Sequence, residues 1–138
     1  MPRKIQLVMY EGYLAEDPIM RATDSGLYVT NFRMGSNRKY KTSAGQAVTE
    51  TTWLKVTAWG KLGEIVNEWC EKGSHVIVTG ILRVNPETGS PNVYQLKSGD
   101  WAASNEITAS EVRILKGKAR SESPLVAEPE EDEENIPF

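Results

Sequence analysis

The sequence predicts an all-β domain: a small barrel of five strands with one α-helix between the third and fourth, followed by an acidic C-terminal tail. Three observations carry that reading. Period-two alternation recurs in short stretches bounded by turn residues, one stretch after Gly60 switches to helical spacing, and the end of the chain is a run of carboxylates that can bury nothing. At 138 residues the chain suits one compact domain plus a tail.

The first strand is expected within residues 4–15, where Ile5, Leu7 and Met9 alternate against Lys4, Gln6 and Val8, and where Gly12 permits the bend a closed barrel needs. Asp17-Pro18 marks a turn. After Asp24-Ser25-Gly26 comes a second strand, with Tyr28, Thr30, Phe32 and Met34 on a core face and Val29, Asn31 and Arg33 on the other. Residues 35–51 lack long apolar periodicity and read as a long flexible hairpin loop, of the sort that is usually functional in a compact domain.

From Trp53 to Trp59 the alternation separates two chemically different sets. Leu54, Val56 and Ala58 point inward, so Trp53, Lys55, Thr57 and Trp59 share the other face. Two indoles flanking an ammonium have no use in a core, whereas nucleobases can stack on them while the lysine meets phosphate. The alternative is that one or both tryptophans cover an edge or a subunit interface.

Gly60 ends that strand, and Leu62, Ile65, Val66, Trp69 and Cys70 then fall at i, i+3, i+4, i+7 and i+8, one stripe of a helix stopped at Gly73. Trp69 in the stripe reads as a core plug. The strand at 76–83 places Val76, Val78 and Leu82 on one face and His75, Ile77, Thr79 and Ile81 on the other. Apolar residues on both faces suggest that His75, Ile77 and Ile81 are covered by another subunit. Residues 85–91 form a turn-rich loop, Asn92 to Leu96 lead through Gly99-Asp100, and a last strand runs near Trp101 to Leu115. Three strands, a helix and two strands is the order of the five-stranded oligonucleotide-binding barrel.

Charge divides along the chain. Residues 1–120 carry all 16 Lys and Arg against 12 acids, a net of +4, and residues 121–138 carry seven acids and no base. A mildly basic body with an acidic appendage suits a polyanion binder. Cys70 is the single cysteine, which excludes an intrachain disulfide and fits a reducing compartment. Met1-Pro2-Arg3-Lys4 leads straight into a strand without a signal-like apolar stretch, and no stretch approaches membrane-spanning length, so a cytoplasmic, nucleoid-associated protein is expected. One His and one Cys cannot build a metal cluster, and there is no phosphate-binding glycine loop, so neither cofactor, metal nor enzymatic activity is expected.

The tail ends Asp132-Glu133-Glu134-Asn135-Ile136-Pro137-Phe138. A solubilising end needs only the acids; a terminal benzyl group beside a carboxylate is what a basic pocket with an apolar floor can capture. This ending resembles that of the bacterial single-stranded DNA-binding proteins, as do Trp53 to Leu62, Lys72-Gly73-Ser74-His75-Val76 and Gly80-Ile81-Leu82-Arg83, over a span of about residues 4–115. The resemblance implies that Trp53 and Trp59 stack bases, that Lys55, Lys61, Lys72 and Arg83 meet phosphate, and that Arg3, Lys4 and Arg33 assist. Tyr40, flanked by Arg38, Lys39 and Lys41, stands where the family often has a tryptophan, and Tyr94 or Trp101 would replace aromatics missing from 85–91. It further implies a homotetramer, a division into a DNA-binding domain (1–115), a linker (116–127) and a protein-binding tip (128–138), and capture of replication, recombination and repair proteins. An adaptor using the same barrel chiefly to hold proteins is the alternative.

Overall fold

The structure, a computed structural model, describes residues 5–118; Arg3, Lys4 and the acidic tip lie outside the described residues. The elements follow in the order β1 (Val8–Leu14), β2 (Ile19–Ala22), β3 (Tyr28–Lys41), β4 (Ala47–Trp59), α1 (Gly60–Trp69), β5 (His75–Arg83), β6 (Asn92–Gln95), β7 (Trp101–Ser104) and β8 (Glu106–Lys116). Five of these strands close a barrel in the spatial order β1-β5-β8-β4-β3, with β3 returning to β1. The helix sits between the third and fourth barrel strands, as the order of sequence patterns predicts. Outside the barrel, β2 extends the edge of β3 and β6 pairs with β7 as a separate hairpin.

Alternation works as expected in the central strands. Thr30, Phe32 and Met34 on β3, Leu54, Val56 and Ala58 on β4, and Val76 and Val78 on β5 are buried together with Ile107 and Ala109 of β8. Helix α1 lies close against this core because Gly63 has no side chain: a Cβ there would come within 2.5 Å of the Ala58 carbonyl oxygen. The Thr30 hydroxyl donates to the Gly63 carbonyl at 2.7 Å, which satisfies the one polar group that β3 sends into the core here. Val66 and Cys70 are buried at the contact, whereas Ile65 and Trp69 are half-buried. Burial pushes the Cys70 thiol up to about 11, slightly opposed by the Lys118 charge. No helix among the described residues is long and apolar enough to cross a membrane.

Several expectations need correction. Residues 35–51 are not a flexible loop: β3 and β4 stay paired from Val29↔Trp59 to Lys41↔Ala47, so most of this stretch is a ribbon closed by a short turn at 42–46. Both faces of the ribbon are wet, which removes the apolar alternation by which strands are recognised. In β1 the inward set is Val8, Tyr10, Gly12 and Leu14, while Leu7 and Met9 are exposed. Leu82 lies on the inner face as expected but at the barrel mouth, where it stays 45% exposed. The final strand is broken at Asn105, and residues 92–104 make the β6–β7 hairpin. Within β8 the pairing to β5 steps from Thr79↔Glu111 to Gly80↔Ala109, leaving Ser110 as an extra residue whose hydroxyl donates to the Thr79 carbonyl at 3.1 Å.

The barrel closes through a short β1–β3 seam, Tyr13↔Gly35 and Leu14↔Met34. Closure requires the two backbones almost to touch: a Cβ on Gly12 would stand 2.2 Å from the Gly35 carbonyl oxygen and 2.9 Å from the Met34 terminal methyl. Gly12→Ala is therefore expected to cost about 1–3 kcal/mol or more, since the obstacle is backbone and cannot rotate away. A urea midpoint lowered at unchanged m-value would show it. Gly45→Asn, in the ribbon turn at φ +84 with nothing within 4 Å, should shift the midpoint little.

Candidate nucleic-acid interface

Because Leu54, Val56 and Ala58 fill the core, Trp53, Lys55 and Trp59 project from the outer face of β4. Trp53 is 47% and Trp59 44% exposed, and six residues of strand hold them about 20 Å apart. Strand β3 supplies the opposite positions, with Asn31 facing Thr57, Arg33 facing Lys55 and Gly35 facing Trp53. Thr57 donates its hydroxyl proton to Asn31 Oδ1 at 2.8 Å. The Arg33 guanidinium lies over the Trp53 ring, 4.4 Å from its centroid, a cation–π contact that fixes the indole. The ring also rests on Gly35, where a Cβ would be 3.0 Å from Trp53 Cζ3.

Pairing across the sheet aligns side chains that lie far apart in the chain. Arg33 of β3, Lys55 of β4, Glu106 of β8 and Arg83 of β5 are successive cross-strand partners, a row about 14 Å long at one level of the barrel. Glu106 accepts from the Asn92 side-chain amide at 3.3 Å, and Arg83 donates to Thr108 Oγ1 at 3.0 Å. A cleft of about 490 Å³ opens here, lined by Arg21, Arg33 and Lys55 together with Glu16, Asp17 and Glu106. Arg21 and Glu106 carry no signal in the sequence, because only the pairing of β2 with β3 and the parallel pairing of β4 with β8 bring them to this face.

The ribbon divides the remaining candidates. Counting from Trp53 through unbroken pairs, Lys39 and Lys41 share its face, whereas Arg38 and Tyr40 lie on the opposite one. There Arg38 donates to Glu50 Oε1 at 2.8 Å and covers the Tyr40 ring at 4.7 Å, while the Tyr40 hydroxyl donates to Glu50 Oε2 at 3.3 Å. The hydrogen bond and charge of Arg38 lower the Glu50 carboxyl below its ordinary value, and those of Glu50 raise Arg38. Tyr40 and Arg38 are thus not brought together with Trp53. Lys61 is exposed in the first turn of α1, and Lys72 lies beyond the helix with its backbone N–H donating to Asp17 Oδ1 at the cleft rim. Tyr94 and Trp101 fall on opposite faces of the β6–β7 hairpin. Tyr94 shares its face with Asn92, and Trp101 is 67% exposed on the other side.

His75, Ile77 and Ile81 lie on the outer face of β5, His75 and Ile77 half-buried and Ile81 exposed. The His75 ring stacks on Tyr13, with centroids 4.4 Å apart and planes at 10°, and its Nε2 contacts Glu11 Oε2. Among the described residues no group of three or more His, Cys, Asp or Glu could hold a metal ion.

Comparison with known proteins bears on the family and the fold. The model of the single-strand binding protein family matches residues 4–115. The protein called single-stranded DNA-binding protein 1 of Chlorobaculum tepidum is 33% identical over 118 residues, 86% of this chain and 69% of that one. A single-stranded DNA-binding protein of Xanthomonas campestris pv. campestris is 34% identical over 118 residues, covering 64% of its length, and one of Caldanaerobacter subterraneus is 32% identical over 127 residues, covering 77%. The solved Plasmodium falciparum SSB complex with ssDNA superimposes with a TM-score of 0.64 over 83% of this chain and 97% of that one; at 13% identity the match shows the barrel fold.

Proposed function

Because the chain belongs to the single-strand binding protein family, we propose that it binds single-stranded DNA without reading its sequence, as a binding protein with no catalytic step. One observation carries the reading: Trp53 and Trp59 stand half-exposed on the outer face of one strand with Lys55 between them and Arg33 opposite. An indole face accepts any unstacked base and contributes about 1–3 kcal/mol per base. Arg33, Lys55 and Arg83 in the cross-sheet row, with Lys39 and Lys41 along the ribbon, meet phosphate, which is the same at every nucleotide. Duplex bases are already stacked on one another and cannot offer their faces.

In this reading residues 1–115 form the DNA-binding domain, 116–127 the linker and 128–138 a tip that recruits replication, recombination and repair proteins. The terminal Ile136-Pro137-Phe138 behind seven carboxylates supports recruitment, since acids alone would serve solubility. Apolar Ile77 and Ile81 on the outer side of a strand whose inner side is core support self-association, and family membership makes a homotetramer the form expected. The single buried thiol and a DNA ligand support a location in the cytoplasm, on the nucleoid.

Tryptophan emission should fall as oligo-dT is added, and Trp53→Ala or Trp59→Ala should each cost about 1–3 kcal/mol of affinity. Neutralising some four to six phosphates gives a log–log salt slope of about −3 to −4, and equal affinity for duplex and single strand would sink the reading. Phe138→Ala should leave oligo-dT affinity unchanged while abolishing capture of partner proteins; recovery of the same partners by the variant would leave the tip as a solubilising end. Light scattering at micromolar concentration should report a tetramer. A dimer would retain self-association alone, and a monomer would remove both.

A further inference from the structure

Gly35 occupies the middle of a row that no single strand reveals. Tyr13 of β1 is the cross-strand partner of His75 on one side and of Gly35 on the other, and Gly35 is the partner of Trp53. Directly paired residues point to the same face of a sheet, so the order across β5, β1, β3 and β4 is imidazole, phenol, glycine, indole. Tyr13 is 51% exposed. Two inter-strand spacings separate Tyr13 from Trp53, about 10 Å. The indole leans from β4 over Gly35 toward Tyr13, so the two rings face one another across less than that span. A cleft of about 350 Å³ lies at this place, lined by Tyr13, Gly35, Asn37, Thr51 and Trp53.

Both walls are held from behind. His75 stacks against Tyr13, and Glu11 in turn contacts the imidazole. Arg33 covers Trp53 at 4.4 Å and is not among the residues lining this cleft, so the indole keeps a face for a ligand on the cleft side. At the end of the cleft Thr51 donates to Asn37 Oδ1 at 2.6 Å, an arrangement that orients the Asn37 amide nitrogen as a donor for the acceptor atoms present on every base. The geometry points to a base-binding slot in the cleft that Tyr13 and Trp53 line, in which one nucleobase of the bound strand stacks on Tyr13 beside the indole. The inference rests on the proposed single-strand binding and extends the path of the DNA from β4 across β3 to β1.

Titration of the full chain with oligo-dT, combined with cross-linking, tests it. Tyr13→Leu should weaken binding about 5- to 50-fold, Tyr13→Phe should stay within about twofold, and Tyr13→Leu should add little once Trp53→Ala is present. The loss should persist at high salt, where a change in charge alone would be screened away. Irradiating the intact chain with iodouracil-substituted oligonucleotide should attach DNA at Tyr13, which decides the matter even if Tyr13→Leu fails to fold. The slot is overturned if Tyr13→Leu binds like the intact chain while Trp53→Ala does not, or if cross-links form elsewhere but none at Tyr13. Weakening that coincides with dissociation in light scattering would likewise overturn it, assigning Tyr13 to subunit contact. Failure of the intact chain to bind oligo-dT at all would instead remove the proposed function itself.

Discussion

The near-contact of two backbones at Gly12 and Gly35 is the constraint on which the rest of the molecule depends. A barrel of five short strands has no spare circumference, and the β1–β3 seam consists of Tyr13↔Gly35 and Leu14↔Met34. A side chain at Gly12 would prise that seam apart against the Gly35 carbonyl, and one at Gly35 would press on the Trp53 ring. Closure and the aromatic surface are therefore one problem with one solution. Gly35, whose carbonyl bare Gly12 lets β1 approach, also provides the floor on which the indole rests, so the indole is positioned by paired strands and not by a loop.

Electrostatics follow from the same pairing. The face bearing Trp53 along β3 and β4 collects Arg33, Lys39, Lys41 and Lys55, whereas Glu50 lies on the reverse of the ribbon, occupied by Arg38 and Tyr40. An exposed ion pair of this kind adds little to stability. Its effect is distributional: it keeps a carboxylate and a guanidinium satisfied with one another on the back, so that the front remains cationic. Glu106 is the exception in the cross-sheet row, held by Asn92 between Lys55 and Arg83, where it relieves the repulsion of closely spaced cations.

Much of this was legible in the chain where one side of an element is dry. The alternation from Trp53 to Trp59, the core face Thr30-Phe32-Met34 and the helix after Gly60 all carry the contrast between buried and wet positions, and the structure places them accordingly. Where both sides are wet the contrast vanishes, and the ribbon from 35 to 51 reads as loop. The side on which Tyr40 falls follows from alternation along β3, but only once that strand is known to run unbroken to Lys41, which the wet stretch conceals. Tyr13 and Glu106 escaped notice for another reason. Their surroundings are made by strands distant in sequence, and neither has a neighbour in its own segment that would betray them. The outward Leu7 and Met9 mislead because they reverse the usual sorting of apolar and polar sides in β1.

The ribbon also has a mechanical meaning. Past Gly35 its two arms bond only to one another, and β3 continues for six residues to Lys41, about 20 Å of lever rooted at the barrel seam. A lever of that length converts a twist of about 10° at its root into a displacement of about 3–4 Å at its tip. Lys39 and Lys41 can thereby swing toward or away from a strand lying on the indoles while every hydrogen bond of the barrel stays in place. One continuous pair of strands thus serves both as barrel wall and, beyond Gly35, as an arm that reaches past the barrel sheet.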